Sequence, residues 1–114
     1  MKITRFEDIK CWKEAVSLAV EMYRVSKEGE FGKGFGFRDQ LRRAAVSVAS
    51  NIAEGKERET VSEFIRFLYI VKGSAGELRT LGYLEKEEFE DFRGRVEKVG
   101  EVIVNLARVL RRGQ

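Results

Sequence analysis

Apolar residues recur along this chain at spacings of three and four, the period of an α-helix, in four segments separated by polar or glycine-rich breaks. The last segment is the most regular, and its apolar positions keep this spacing through three heptads: Phe89, Phe92, Val96, Val99, Ile103, Leu106 and Leu110. No alternating strand pattern competes. The pattern predicts an all-α fold with a single domain over residues 1–114. Its short connections and heptad-like spacing favour an antiparallel up-down four-helix bundle with left-handed crossing.

Local signals predict where the helices begin and end. Two sequences have the form of a capping box, in which a Thr and a Glu three residues later satisfy free backbone groups. A glycine commonly lies just past a helix end. The predicted bounds are Phe6–Lys27 for helix 1 with a capping box at Thr4–Glu7, Phe37–Glu54 for helix 2 with Gly55 as terminator, and Thr60–Gly82 for helix 3 with a capping box at Thr60–Glu63.

The first three helices carry more apolar surface than one core needs. On helix 3, Ile65, Tyr69 and Ile70 flank the core stripe. Helix 1 has two stripes, one of Ile9, Trp12, Val16, Ala19 and Tyr23 and the other of Ala15, Leu18, Met22 and Val25. Helix 2 has a stripe of Leu41, Ala44, Ala45, Val48 and Ile52, which Val46, Ala49 and Ala53 widen to about half the circumference. Large apolar patches left in water mark interaction surfaces. We therefore predict that the protein is a homo-oligomer.

A seam of polar residues accompanies this wide face. It comprises Arg43, Ser47, Asn51 and Glu54 on helix 2 and Glu77 on helix 3. The two glutamates suggest an acid and base pair or a metal site, but carboxylate bundles that bind two metals use Glu-x-x-His motifs and this chain has no histidine. The favoured interpretation is a structural network in which Arg43 neutralises a carboxylate. It predicts that Arg43→Ala destabilises the fold more than Arg42→Ala.

The composition argues against an enzyme. Without histidine and with one cysteine, the chain lacks the residues for a zinc site or for a Ser-His or Cys-His nucleophile, so no metal or cofactor is expected. Cys11 is predicted to be an unreactive thiol. The segment Gly32–Gly36 resembles a phosphate loop only superficially, because no strand precedes it and Lys33 is not followed by Ser or Thr. It is interpreted as a helix connection.

Charge is distributed unevenly between the two ends of the predicted bundle. Residues 1–13, 54–66 and 104–114 contain ten basic and six acidic residues, whereas residues 20–40 and 77–93 contain seven basic and ten acidic ones. The candidate nucleic-acid-binding residues of the basic end are Lys56, Arg58, Arg108, Arg111 and Arg112. Matching of helix dipoles is the alternative explanation. Aromatic residues are not interleaved with these cations, so base stacking is not expected.

The sequence shows no membrane segment or signal peptide, so the protein is expected in the cytoplasm.

The segment Gln40–Gly55, which reads QLRRAAVSVASNIAEG, resembles the central signature of four-helix bundle proteins related to those encoded in intervening sequences of bacterial large-subunit ribosomal RNA genes. Phe6-Glu7-Asp8-Ile9 and Phe64–Leu68 also resemble that family. The chain departs from the family in having Phe31-Gly32 where a Phe-Pro pair is usual. About a heptad is also missing before Leu81, so helix 3 is predicted to be short and helix 4 to project about a turn beyond it.

This resemblance implies ring-shaped homopentamers for at least some relatives. It also implies that some are accessory subunits of reverse transcriptases in diversity-generating retroelements, where a basic ring engages RNA or DNA. The leading hypothesis is therefore a non-enzymatic oligomeric scaffold that binds nucleic acid, a reverse transcriptase, or both. The alternative is a stand-alone protein-interaction bundle without a nucleic-acid role.

Overall fold

The computed structural model describes residues 5–27, 34–83 and 90–113, and it has only helices and their turns in those ranges. The helices are α1 (Lys10–Lys27), α2 (Gly34–Glu57), α3 (Val61–Tyr83) and α4 (Glu90–Arg112), with a short 3-10 helix at Phe6–Asp8. Each long helix packs against the next one in the chain, and α1 also meets α4. The prediction of an all-α four-helix bundle is confirmed, and its extents are 47 × 20 × 19 Å.

Cross-helix contacts give the relative directions of three helices. Gln40 meets Glu77 and Ser47 meets Ser74, so residue numbers rise along α2 as they fall along α3. An ion pair joins Arg79 to Glu97, and Arg111 of α4 lies over the ring of Tyr69 in α3. Both pairs, α2 with α3 and α3 with α4, are therefore antiparallel.

The buried side chains follow the predicted stripes closely. On α2 the buried set is Leu41, Ala44, Ala45, Val48, Ala49 and Ile52, and on α3 it includes Phe64, Phe67, Leu68, Val71, Ala75 and Leu78. On α4 the described buried positions include Val96, Val99, Ile103 and Leu106. Phe89 and Phe92 of the predicted stripe are outside the residues whose side chains are described.

The two stripes of helix 1 have different environments. Ala15, Leu18 and Met22 are buried together with Cys11, whereas the stripe from Trp12 to Ala19 is only half-buried. A continuous helix from Phe6 is wrong, because Ile9 has an extended backbone (φ −79°, ψ 120°) between the 3-10 helix and α1. The capping residue Thr4 and the stripe residue Val25 lie outside what the structure describes.

Gly55 does not terminate the second helix as predicted. It lies inside α2, which continues to Glu57, and it is buried. A Cβ atom added there would lie 2.5 Å from Cβ of Phe67 and 3.2 Å from Cδ1 of Phe64. Gly55 therefore allows α3 to approach α2 closely. The helix also starts earlier than predicted, at Gly34.

Within the described ranges the third helix is not shorter than the fourth, so the predicted extra turn of helix 4 is not seen. Both α3 and α4 have 23 residues. The stripe on α3 stays in phase through Leu78 and Leu81, which are both buried, so packing continues the helix through Gly82 to Tyr83. At the other end the predicted cap is present, since the backbone N–H of Glu63 donates to Oγ1 of Thr60 at 3.1 Å.

None of the helices in the described part of the chain is both long enough and apolar enough to span a lipid bilayer.

Candidate functional site

The antiparallel arrangement of α3 and α4 brings two groups of predicted cations to one end of the bundle. Lys56 and Arg58 lie where α2 ends, and the C-terminus of α4 lies beside the same turn. A cavity of about 240 Å³ links them, lined by Lys56, Arg58, Phe64 and Leu110, with Glu59 also on its wall. This basic end also carries the exposed side chains of Arg108, Arg111 and Arg112.

Two arginines at the basic end are partly neutralised. Arg58 donates to Oε2 of Glu54 at 3.0 Å, and its guanidinium lies 4.9 Å from the ring centroid of Phe67. Arg66 lies 5.0 Å from the same ring and donates two hydrogen bonds to Glu63 at 3.2 and 3.3 Å. These hydrogen bonds lower the pKa of the Glu63 carboxyl group.

The other predicted cations are not neutralised by a carboxylate of the described residues. Among the described residues no carboxylate forms an ion pair with Lys56, Arg108, Arg111 or Arg112. Arg108 donates instead to the neutral Oδ1 of Asn105 at 3.1 Å. The guanidinium of Arg111 lies 5.4 Å from the ring centroid of Tyr69. A polyanion approaching this end would therefore meet unpaired positive charge.

The sequence predicts Tyr69 only as an apolar residue that flanks the core stripe of helix 3, and it does not predict the contact of Tyr69 with Arg111. Tyr69 is 43% exposed and has an arginine against its ring, so the expectation that this end lacks an aromatic surface is wrong. The position lies just outside the core stripe of α3, directly after the buried Leu68. Only the pairing of α3 with α4 shows that an arginine distant in sequence lies beside it.

The polar seam divides into separate contacts. The hydroxyl oxygens of Ser47 and Ser74 are hydrogen bonded at 2.9 Å, which joins α2 to α3. Nδ2 of Asn51 donates to the carbonyl oxygen of Ser47 at 2.9 Å and to its Oγ at 3.0 Å. Ser74 was absent from the predicted set. Its contact with Ser47 provides the link between helices that the seam was expected to contain.

The charged members of the seam do not join that network. Arg43 is exposed and has no ion-pair partner among the described residues, while Glu54 pairs with Arg58. Glu77 accepts a hydrogen bond from Nε2 of Gln40 at 3.4 Å. The neutralisation predicted for Arg43 is therefore not seen within the described part of the structure.

The two glutamates are too far apart to act as a pair. Ser47 and Ser74 are level with each other, and Glu54 and Glu77 lie on opposite sides of that level along antiparallel helices. Ten residues of helical rise separate them, about 15 Å along the bundle axis. The alternative in which Glu54 and Glu77 form a catalytic or metal-binding pair is therefore wrong.

An apolar groove runs along the outer side of α1 and α2. Its volume is about 500 Å³. The residues that line it are Phe6, Trp12, Val16, Ala19, Val20, Tyr23, Val46, Ala49, Ser50 and Ala53. Val20 on its rim is 64% exposed, and Tyr23 and Val46 are 43% and 42% exposed. The surplus stripe of α1 and the wide face of α2 thus meet in one continuous surface.

Two comparisons with known proteins give a match. The family described as 23S rRNA-intervening sequence protein matches residues 7–105. The fold is similar to the crystal structure of a protein of unknown function from the S23 ribosomal protein family of Bacteroides thetaiotaomicron, with a TM-score of 0.77 and 19% sequence identity. That likeness covers 85% of this chain and 97% of the other. No curated protein matches the chain.

Proposed function

This chain belongs to the family of 23S rRNA-intervening sequence proteins, and from that premise we propose that it is a non-enzymatic, homo-oligomeric scaffold that binds nucleic acid through its basic end. The observation that carries the proposal is the collection of unpaired cations, Lys56, Arg108, Arg111 and Arg112, at one end of the bundle. The homopentamer and the reverse transcriptase partner implied by the family resemblance are the finer form of the same proposal.

Electrostatics supports a nucleic-acid ligand. A protein that neutralises phosphates with lysine and arginine releases condensed counterions, and this release favours binding at low salt. The cations here come from α2 and α4, so a bound phosphate backbone would cross the end of the bundle. Dipole matching accounts for Lys56 in the last turn of α2 and for Arg111 and Arg112 in the last turn of α4, but it does not account for Arg108, which lies before that last turn.

Self-association is supported by the apolar groove between α1 and α2. A helix bundle needs one inward stripe per helix, and the groove presents a second apolar face of α1 to the outside. Covering exposed apolar side chains such as Val20 and Val46 with a second copy removes them from water. An oligomer also multiplies the basic ends on one particle, which strengthens binding to a long polyanion through avidity.

The test of nucleic-acid binding is an electrophoretic mobility shift with RNA over a salt series. We expect affinity to fall steeply as salt rises, and Lys56→Glu combined with Arg112→Glu to abolish the shift. The matched control is Arg43→Glu combined with Lys98→Glu, since all four side chains are cationic and both double variants change the formal net charge from +3 to −1. The control should keep most of the affinity, and circular dichroism should show both variants folded.

The control also separates the two candidate functions. Equal loss of affinity in both double variants would mean that net charge alone governs binding, which would contradict a site at the basic end. No shift by the wild-type protein even at low salt would favour the protein-interaction bundle without a nucleic-acid role.

Self-association has its own test in analytical ultracentrifugation at micromolar concentration. We expect Val46→Glu, which places a charge in the groove, to dissociate the oligomer. Val102→Glu is the control because Val102 is also a partly exposed valine but lies on α4, away from the groove. A monodisperse monomer for the wild-type protein would contradict the scaffold.

A further inference from the structure

An exposed tyrosine and four cations share one surface where α3 lies against α4. The antiparallel pairing puts Arg111 on the ring of Tyr69. Arg66 and Lys72 lie about one turn before and after Tyr69 on α3, and Arg108 lies about one turn before Arg111 on α4. All five side chains are exposed. We name this set, Arg66, Tyr69, Lys72, Arg108 and Arg111, the Tyr69 patch.

From this arrangement we infer that the Tyr69 patch binds single-stranded nucleic acid by stacking a base on the tyrosine ring while the surrounding cations hold the adjacent phosphates. The inference rests on the proposed nucleic-acid function and extends it, because it names the form of the ligand and a residue that contacts the bases. Every nucleobase has a π-face, so stacking of this kind tolerates different sequences.

The tyrosine ring is accessible to a base. Tyr69 is 43% exposed, and the Arg111 guanidinium, 5.4 Å from its centroid, occupies only one part of its surroundings. Gly73 lies one turn further along the same side of α3, and a Cβ atom added there would meet nothing within 4 Å. The absence of a side chain at Gly73 therefore leaves open space on the side of α3 that carries Tyr69.

The charges around the ring suit a polyanion. Lys72, Arg108 and Arg111 form no ion pair with any carboxylate in the described ranges, and only Arg66 is shared with an acidic residue, Glu63. A guanidinium that stacks on an aromatic ring keeps its N–H groups directed outward in its own plane, where they can donate to phosphate oxygens.

A second exposed tyrosine, Tyr23, allows a comparison with the surroundings of Tyr69. Tyr23 is also 43% exposed and also has an arginine, Arg42, 4.6 Å from its ring centroid. Its Arg42, however, donates to the Tyr23 carbonyl oxygen at 3.4 Å, and the ring lines the apolar groove. The two rings therefore have different surroundings, because Tyr23 faces an apolar groove whereas Tyr69 has Lys72 and Arg108 nearby on the same surface.

The site favours single strands over duplexes for a steric reason. In a duplex the faces of the bases are stacked on one another, so a protein ring reaches them only at a terminus or after a base has been extruded from the stack. An unpaired strand presents base faces and phosphates together.

The experiment is fluorescence anisotropy with three labelled 12-nucleotide probes: a single strand with bases, an abasic strand with the same phosphates, and a duplex. The variants are Tyr69→Leu, which keeps apolar bulk without a π-face, and Tyr69→Phe, which keeps the ring. Val102→Ala is the control for loss of an exposed apolar side chain elsewhere. We expect Tyr69→Leu to weaken binding of the single strand about fivefold or more, and Tyr69→Phe to preserve it.

The abasic strand tests whether Tyr69 contacts the bases rather than the phosphates. Its affinity should be lower for the wild-type protein and unaffected by Tyr69→Leu, because it has no bases to stack. Gly73→Leu, which fills the space on the side of α3 that carries Tyr69, should reproduce the defect of Tyr69→Leu with the helix intact by circular dichroism.

The outcomes separate this inference from the function on which it rests. Salt-dependent binding that Tyr69→Leu leaves unchanged, or equal affinity for the single strand and the abasic strand, would overturn stacking while the proposed function stands. Absence of binding to all three probes would overturn both.

Discussion

At the scale of single residues, the absence of a side chain at Gly55 decides how closely α2 and α3 pack. The nearest atom to an added Cβ would be Cβ of Phe67, which is fixed to the α3 backbone and cannot move aside by a change of rotamer. Alanine at this position must therefore push α2 away from α3.

We expect Gly55→Ala to destabilise the fold in urea unfolding. Overpacking of this kind costs about 1–3 kcal/mol, which exceeds the gain of roughly 1 kcal/mol that alanine brings inside a helix. Gly76→Ala is the matched control, because Gly76 also lies inside a helix but an added Cβ would meet nothing within 4 Å. It should stabilise the fold by roughly 1 kcal/mol. A stabilising Gly55→Ala would contradict the close approach.

Cys11 is a buried titratable residue that makes the stability of the fold depend on alkaline pH. Its side chain is buried beside the core stripe of α1, and this burial raises the pKa of the thiol from 9.0 to about 11. The folded protein therefore keeps the proton that the unfolded chain loses above pH 9.

The contribution of Cys11 to stability should be complete below pH 9 and lost between pH 9 and about 11. The expected slope is at most about 1.4 kcal/mol per pH unit. Urea unfolding across this range measures it, with Cys11→Ala as the comparison, because other groups titrate equally in both proteins. Parallel stability curves for the two proteins would show that the thiol does not titrate differently on folding.

At the scale of helices, Arg42 links α1 to α2 whereas its neighbour Arg43 links nothing among the described residues. The Arg42 guanidinium lies 4.6 Å from the ring centroid of Tyr23 and donates to the carbonyl oxygen of the same residue near the end of α1. Arg43 is exposed. The structure therefore predicts the opposite order of effects from the one that the sequence predicts.

We expect Arg42→Ala to lower the free energy of unfolding by about 1 kcal/mol through loss of this contact, and Arg43→Ala to change it by less than about 0.5 kcal/mol. Thermal melts of the two variants at equal concentration provide the measurement. A larger loss for Arg43→Ala would restore the network first inferred from the sequence.

The helical faces follow from sequence far better than the helix ends do. Burial of Leu68, Val71 and Ala75 repeats the period of their spacing, because a helix can bury only residues on one side. Gly55 and Gly82 have the local propensity of helix stops, but α2 continues to Glu57 and α3 to Tyr83, and Gly55 itself is buried against Phe64 and Phe67 of α3. Ser74 is hydrogen bonded to Ser47 of another helix, and no local sequence pattern predicts this contact.

The same distinction holds for the candidate site. The clustering of Lys56 with Arg111 and Arg112 at one end follows from the order of antiparallel helices alone, so the sequence suffices to predict it. The contact of Tyr69 with Arg111 depends on the register of α3 against α4. Register is set by the detailed packing of two surfaces, and periodicity does not specify it.

At the scale of the whole molecule, the proposed self-association through the apolar groove predicts a stability that depends on protein concentration. The groove lies on the outside of the bundle formed by the described residues, and the proposed oligomer covers it with copies of this chain. Binding that occurs only in the folded state stabilises that state by mass action. The melting temperature should therefore rise with protein concentration.

We expect this rise for the wild-type protein in scanning calorimetry from micromolar to near-millimolar concentration, and none for Val46→Glu. The substituted charge lies on α2 at a position that is 42% exposed, so the isolated bundle should still fold. Its melting temperature should then approach that of the wild-type protein at high dilution. The proposal would be contradicted by a wild-type melting temperature that does not depend on concentration, together with a monomer in ultracentrifugation. The groove would then stay open to water, and a different partner would be needed to explain its apolar surface.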